Sequence, residues 1–121
     1  MTQSLPILTT TAYRSHLALA AATGAALSPI AYLAFGEGTR AYSPDEDTAL
    51  EAEVLRLPAT ATSAGPEVTA SATLPGSAVA GQTITEVGAF TASGVLVARK
   101  TIAPIELEPY GEMDFDIVFE Y

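Results

Sequence analysis

Hydrophobic and polar positions along the chain fall into two helical stretches followed by a series of strand-like ones. Thr9, Thr10 and Thr11 precede Tyr13, Leu17, Ala20, Ala21 and Gly24. These are apolar or small residues at helical spacing, after hydroxyls that can accept a free backbone N–H. The pattern predicts a first helix over residues 10–23, with Gly24 as its stop. Ile30 to Phe35 is a short apolar run after Pro29 and predicts a strand. A turn at Gly36-Glu37-Gly38-Thr39 closes it. Ser43-Pro44-Asp45-Glu46 has the form of a capping box, with Pro44 at the first helical position and Asp45 and Asp47 at the positive end of the helix dipole. Leu50, Val54 and Leu57 follow at i, i+4 and i+7, so the spacing predicts a second helix that Pro58 ends.

Beyond Pro58 the period becomes two. Val68 to Leu74 alternates apolar and hydroxyl side chains, the mark of a half-buried strand. Ile84 to Phe90 and Val95 to Ile102 flank Thr91-Ala92-Ser93-Gly94, a hairpin connection. The last strand alternates most clearly, with Met113, Phe115, Ile117, Phe119 and Tyr121 on one face and Asp114, Asp116, Val118 and Glu120 on the other. The expected fold class is α+β, two helices from the N-terminal half packed on a mainly antiparallel sheet. Residues 1–121 form a single domain in this reading, with 1–6 set apart as an arm.

Composition narrows the picture. The hydrophobic fraction of 49% includes 23 alanines, so the larger apolar residues suffice for one modest core. A formal net charge of -9, from 14 acidic and 5 basic residues, argues against binding a phosphate backbone or an anionic membrane surface. Leu17 to Phe35 runs 19 residues without a formal charge, near the length that spans a bilayer. Gly24 and Pro29 interrupt it, and it reads as helix, turn and strand; Arg14 before the alanine-rich run also has the form of a signal peptide, but the helix signals fit a mature fold.

The absence of cysteine removes disulfides, thiolate nucleophiles and Cys-ligated metal sites, and His16 is the only histidine. Carboxylates are therefore the one catalytic raw material. Asp45, Glu46 and Asp47 are accounted for as a helix start, and Glu106, Glu108, Glu112, Asp114, Asp116 and Glu120 as a solvated face and the loop before it. A hard-cation site built from the same carboxylates is the other candidate, but Asp45-Glu46-Asp47 lacks the Asp-x-Asp-x-Asp-Gly spacing of a calcium loop. Gly36-Glu37-Gly38 lacks the lysine of a phosphate loop. No catalytic, cofactor or metal residue is assigned, and the chain is not expected to be an enzyme. The aromatic face of the last strand reads first as core. Its second reading is a subunit or partner interface made by Phe115, Phe119 and Tyr121, with Asp114, Asp116 and Glu120 steering a basic partner.

In order along the chain come Ile7-Leu8-Thr9, Ala34-Phe35-Gly36-Glu37-Gly38-Thr39, the expected Leu50-to-Arg56 helix (Leu-x-x-Glu-x-x-Arg), Ile84-Thr85-Glu86-Val87-Gly88-Ala89-Phe90, and Ser93-Gly94-Val95-Leu96-Val97-Ala98. This succession resembles the N-terminal domain of phage tail-collar fibre proteins over about residues 7–121. The resemblance implies a structural protein of a phage or prophage contractile tail, a collar or adaptor that attaches a tail fibre to the baseplate. It also implies a homotrimer or a trimeric fibre as partner, assembly in the host cytoplasm and a final place in the virion tail. Members of that family continue into a fibre shaft and receptor-binding tip, so host recognition is not carried over. The alternative from another class is a secreted, β-rich carbohydrate- or calcium-binding module in which the acidic loops are functional.

Overall fold

The threonine triplet does open a helix. In the computed structural model, which describes residues 2–6 as backbone and 8–120 in full, helix α1 spans Thr11–Thr23. Thr10 caps it by accepting the Tyr13 N–H at 3.0 Å. Gly24 ends it at φ 74, a left-handed conformation that a Cβ would strain. Tyr13 is the helix residue that is fully buried, and most of α1 faces outward. No helix among the described residues is long and apolar enough to cross a membrane.

Eight strands make up the rest: β1 (Thr2–Pro6), β2 (Ile30–Gly36), β3 (Glu53–Pro58), β4 (Thr60–Ala64), β5 (Glu67–Pro75), β6 (Ile84–Thr91), β7 (Leu96–Ile105) and β8 (Glu112–Glu120), with a 3₁₀ turn over Gly76–Val79. They form two four-stranded sheets, ordered β1-β8-β5-β4 and β3-β2-β6-β7. Every pairing is antiparallel except β1 with β8. The α+β description therefore holds in its antiparallel part. The N-terminal residues expected as an arm supply a strand, with Leu5 opposite Ile117.

The second helix is not there. Ser43 to Asp47 makes one turn, the Asp47 N–H meeting the Ser43 carbonyl at 2.9 Å, and residues 48–52 run on as an irregular loop. From Glu53 the chain is β3, an edge strand with Leu55 opposite Phe35 and Leu57 opposite Leu33. Pairing with β2 outweighs the local helical signal, because it places Leu55 and Leu57 against the core at strand spacing. The hydrophobic triplet Leu50, Val54, Leu57 is split between a loop and a strand.

One core lies between the sheets. Leu33, Phe35 and Val87 from the second sheet meet Leu74, Phe115, Ile117 and Phe119 from the first. The Phe35 and Phe115 rings stand 4.9 Å apart in an edge-to-face arrangement. A smaller cluster of Ala34, Leu50, Phe90 and Leu96 lies apart from it, with Leu50 contributed by the long connection between β2 and β3. The guanidinium of Arg56 stacks on Phe90, 3.7 Å from the ring centre.

Candidate functional site

Charged residues in otherwise apolar strands mark where the β2–β3 connection is tied down. Glu86 on β6 and Arg99 on β7 are both fully buried. Arg99 Nε donates to Glu86 Oε1 at 2.7 Å. The same carboxylate accepts backbone N–H groups of the connection, from Gly38 and Ala52 at 2.8 Å on Oε2 and from Glu51 at 3.0 Å on Oε1. Arg99 reaches the connection too, donating from Nη2 to the Arg40 carbonyl at 2.6 Å and from Nη1 to Asp47 at 3.4 Å. Asp47 completes the set by accepting from Arg40 Nη1 at 2.8 Å and from the Ser43 N–H at 3.0 Å.

The glycines of the connection are needed for this approach. A Cβ on Gly36 would lie 2.6 Å from Glu86 Oε2 and 2.5 Å from the Ala52 carbonyl, and one on Gly38 would run into Glu86 Oε2 as well. Gly88 likewise leaves room for Leu50, whose Cδ1 would stand 2.6 Å from an added Cβ. Burial acts to raise the carboxyl pKa of Glu86, but the Arg99 hydrogen bond and the N–H groups of Ala52, Glu51 and Gly38 outweigh it and hold the pKa below its ordinary value. Asp47 behaves alike: desolvation is outweighed by the Ser43 N–H and by Arg40 and Arg99, and its pKa is lowered. These ionised groups anchor the connection.

The acids singled out on the last strand have different surroundings. Asp114 and Asp116 point away from the core and accept hydroxyl hydrogen bonds from Thr73 and Ser71, each at 2.6 Å. With Pro58, Thr60 and Ala72 these four line an open groove of about 490 Å³. By register Glu67, Glu112 and Glu120 lie on the same outer face, Glu67 directly opposite Glu120. Among the described residues, the strands of this sheet carry no Lys or Arg.

Phe115 and Phe119 are fully buried in the core of the chain itself, so the aromatic face packs inward. Nor is β8 an edge: β1 and β5 flank it. Tyr121 lies outside the described residues. What remains of the expected interface at the surface is its acidic half, Asp114, Asp116 and Glu120.

Sequence reasoning did not find the Glu86–Arg99–Asp47 cluster. The expected helix start accounts for Asp47, and Glu86 stands only among the residues that carry the resemblance. A glutamate within ITEVGAF and an arginine within VLVARK, each a charge inside an apolar strand, were the available signal. His16 takes a structural part, its Nε2 accepting the Ser28 N–H at 3.3 Å. No known protein family, curated protein or solved structure matches the chain.

Proposed function

We propose that the chain is a structural component of a phage or prophage contractile tail, a collar or adaptor that attaches a tail fibre to the baseplate. The observation that supports this reading is the convergence of separate motifs on one feature. The Gly36-Glu37-Gly38 turn, Leu50 and the Glu86-Val87-Gly88 segment are far apart in sequence, yet each helps anchor the β2–β3 connection. Three of the five ordered pieces that carry the resemblance thus meet at one place, the Leu50-to-Arg56 piece as loop and strand where the spacing predicts a helix. In such a role the protein offers a rigid two-sheet body and a polarised surface, and it needs neither a catalytic residue nor a cofactor. The acidic outer face, with Asp114, Asp116 and Glu120, suits a basic surface on the baseplate or fibre, steering encounter more than adding affinity. The fibre, commonly trimeric in the resembled family, is the partner, and the virion tail is the location.

Immunogold electron microscopy of tail particles from the source strain, with antibody to this chain, tests the reading. Gold at the baseplate end of contractile tails is the expected result. Gold absent from tails, with the protein recovered elsewhere in the same preparation, overturns it.

The groove favours one other reading. Serine, threonine and carboxylate side chains lining an open hollow suit a carbohydrate; for calcium the groove offers only two carboxylates, and among the described residues no three acidic side chains gather to hold a metal ion. A bound ligand raises the melting temperature by mass action. A shift with calcium that EDTA reverses, or a shift with oligosaccharides, supports the secreted binding module over the tail component.

A further inference from the structure

Four strands form the edges of the two sheets, β1 and β4 in the first and β3 and β7 in the second. A free edge presents unpaired backbone N–H and C=O groups, and natural proteins blunt it with charged residues or proline. Three of these edges carry such residues. β1 ends in Pro6, β3 holds Glu53, Arg56 and Pro58, and β7 holds Lys100 and Pro104. The fourth, β4, reads Thr60-Ala61-Thr62-Ser63-Ala64, with neither charge nor proline, and all five residues are exposed.

The chain on either side of β4 is free of charge as well, and the nearest carboxylates, Glu67, Asp114 and Asp116, stand on β5 and β8 behind it. No charged residue occurs from Leu57 to Pro66. A longer uncharged stretch, Leu17 to Phe35, comes up beside it. There Leu27, Pro29 and Ile30 line a cleft of about 250 Å³ with Ala61, Ser63 and Val68. Leu27 is 51% exposed at this cleft. Two copies of a chain with a net charge of -9 repel each other wherever carboxylates face carboxylates. At this edge they meet without that repulsion.

We propose that β4 pairs antiparallel with β4 of a second copy, joining two four-stranded sheets into one of eight strands. Centred on Thr62, the pairing sets Thr60 opposite Ala64 and Ala61 opposite Ser63, with no charge across the joint. Five residues give about 17 Å of shared edge. Glu67, opposite Ala64 on β5, stays one strand back from the joint. The contact uses the same patch on both copies, so it closes as a dimer. The apolar rim at Leu27 lies beside the joint and is shielded by it.

Light scattering on the full chain over a range of micromolar concentrations reads the outcome directly. The expected mass is twice 12.5 kDa, falling toward a single chain on dilution. Two double variants, A61K/S63K and A61E/S63E, place like charges opposite one another across the joint. Both are expected to be monomers at concentrations where the parent is a dimer. Because the altered residues are exposed, the melting temperatures of dilute monomeric samples should match. Hydrogen exchange supplies a second readout: amides of residues 60–64 should gain protection as concentration rises, while those of β3 should not. A parent that stays monomeric, a mass of three chains, or a dimer that survives both variants overturns the proposal. So would a free β4 edge that gains protection only when another protein is added.

Discussion

At Glu86 four donors meet one buried carboxylate, three of them backbone N–H groups of a single connection and the fourth Arg99. Removing one partner of a buried ion pair leaves the other uncompensated and costs about 3–5 kcal/mol. Glu86→Gln keeps the shape but strips the charge facing Arg99, so we expect a loss near the lower end of that range in urea unfolding. The sign of the pH dependence comes from the lowered pKa. A depressed carboxyl contributes stability that is complete above its unfolded pKa, about 4.3 for glutamate, and that is lost as pH falls through the lower folded value. Asp47 and Glu51 are lowered as well and act in the same direction. Stability of the parent should therefore fall below about pH 4. Glu86→Gln should show a shallower acid limb from a lower starting point. An unchanged limb would mean that folding does not lower the Glu86 pKa, and a steeper one that folding raises it.

Thr10 joins two elements with one hydroxyl. Its Oγ1 accepts the Tyr13 N–H at the start of α1 and donates to the Leu96 carbonyl of β7 at 2.5 Å, in a fully buried position. Since Tyr13 is the fully buried residue of α1, the cap carries much of the attachment of the helix to the sheet. Thr10→Ala should cost about 1–2 kcal/mol, and hydrogen exchange should show α1 opening ahead of the strands. Uniform loss of protection across α1 and the sheets would instead make the helix part of the global unfolding unit. This helix was legible from sequence because its signals are local: a cap, an alanine-rich body and a glycine stop. The hairpin of β6 and β7 and the alternation of β8 were legible for the same reason. The region from Ser43 to Pro58 was not. Its expected capping box gives way to a single turn in which the Ser43 N–H meets the Asp47 carboxylate instead of Glu46, and the path of residues 48–58 depends on Arg99, 52 positions beyond Asp47, and on pairing with β2. Strand β4 was missed because five small residues carry almost no hydrophobic period. The candidate surface was legible by half: the alternation of β8 sorts Asp114 and Asp116 from Phe115 and Phe119. Only the sheet order reveals that Ser71 and Thr73 stand beside those acids.

The charge of the whole molecule is unevenly spread. Arg40, Arg56 and Arg99 are engaged at the second sheet and its connection, while the outer face of the first sheet carries Glu67, Glu112, Asp114, Asp116 and Glu120 with no cation on its strands. Like charges directly opposite in a sheet destabilise it by roughly 0.2–1 kcal/mol a pair, and Glu67 opposite Glu120 is such a pair. The repulsion is between exposed groups, so salt screens it, with a Debye length of about 8 Å at physiological ionic strength. The buried ions at Glu86 respond little. Melting temperature should therefore rise with added sodium chloride. The variant D114N/D116N/E120Q should start about 2–4 °C higher at low salt and depend less on salt. The substitutions preserve oxygen acceptors for Thr73 and Ser71, which isolates charge from hydrogen bonding. If the face serves to dock a basic partner, the same variant should bind that partner more slowly while being the more stable protein. Stability and binding moving in opposite directions is a result that a purely structural role for these carboxylates does not produce. The acid limb at high salt then reports the Glu86 cluster alone, since screening has removed the competing gain from protonating the face.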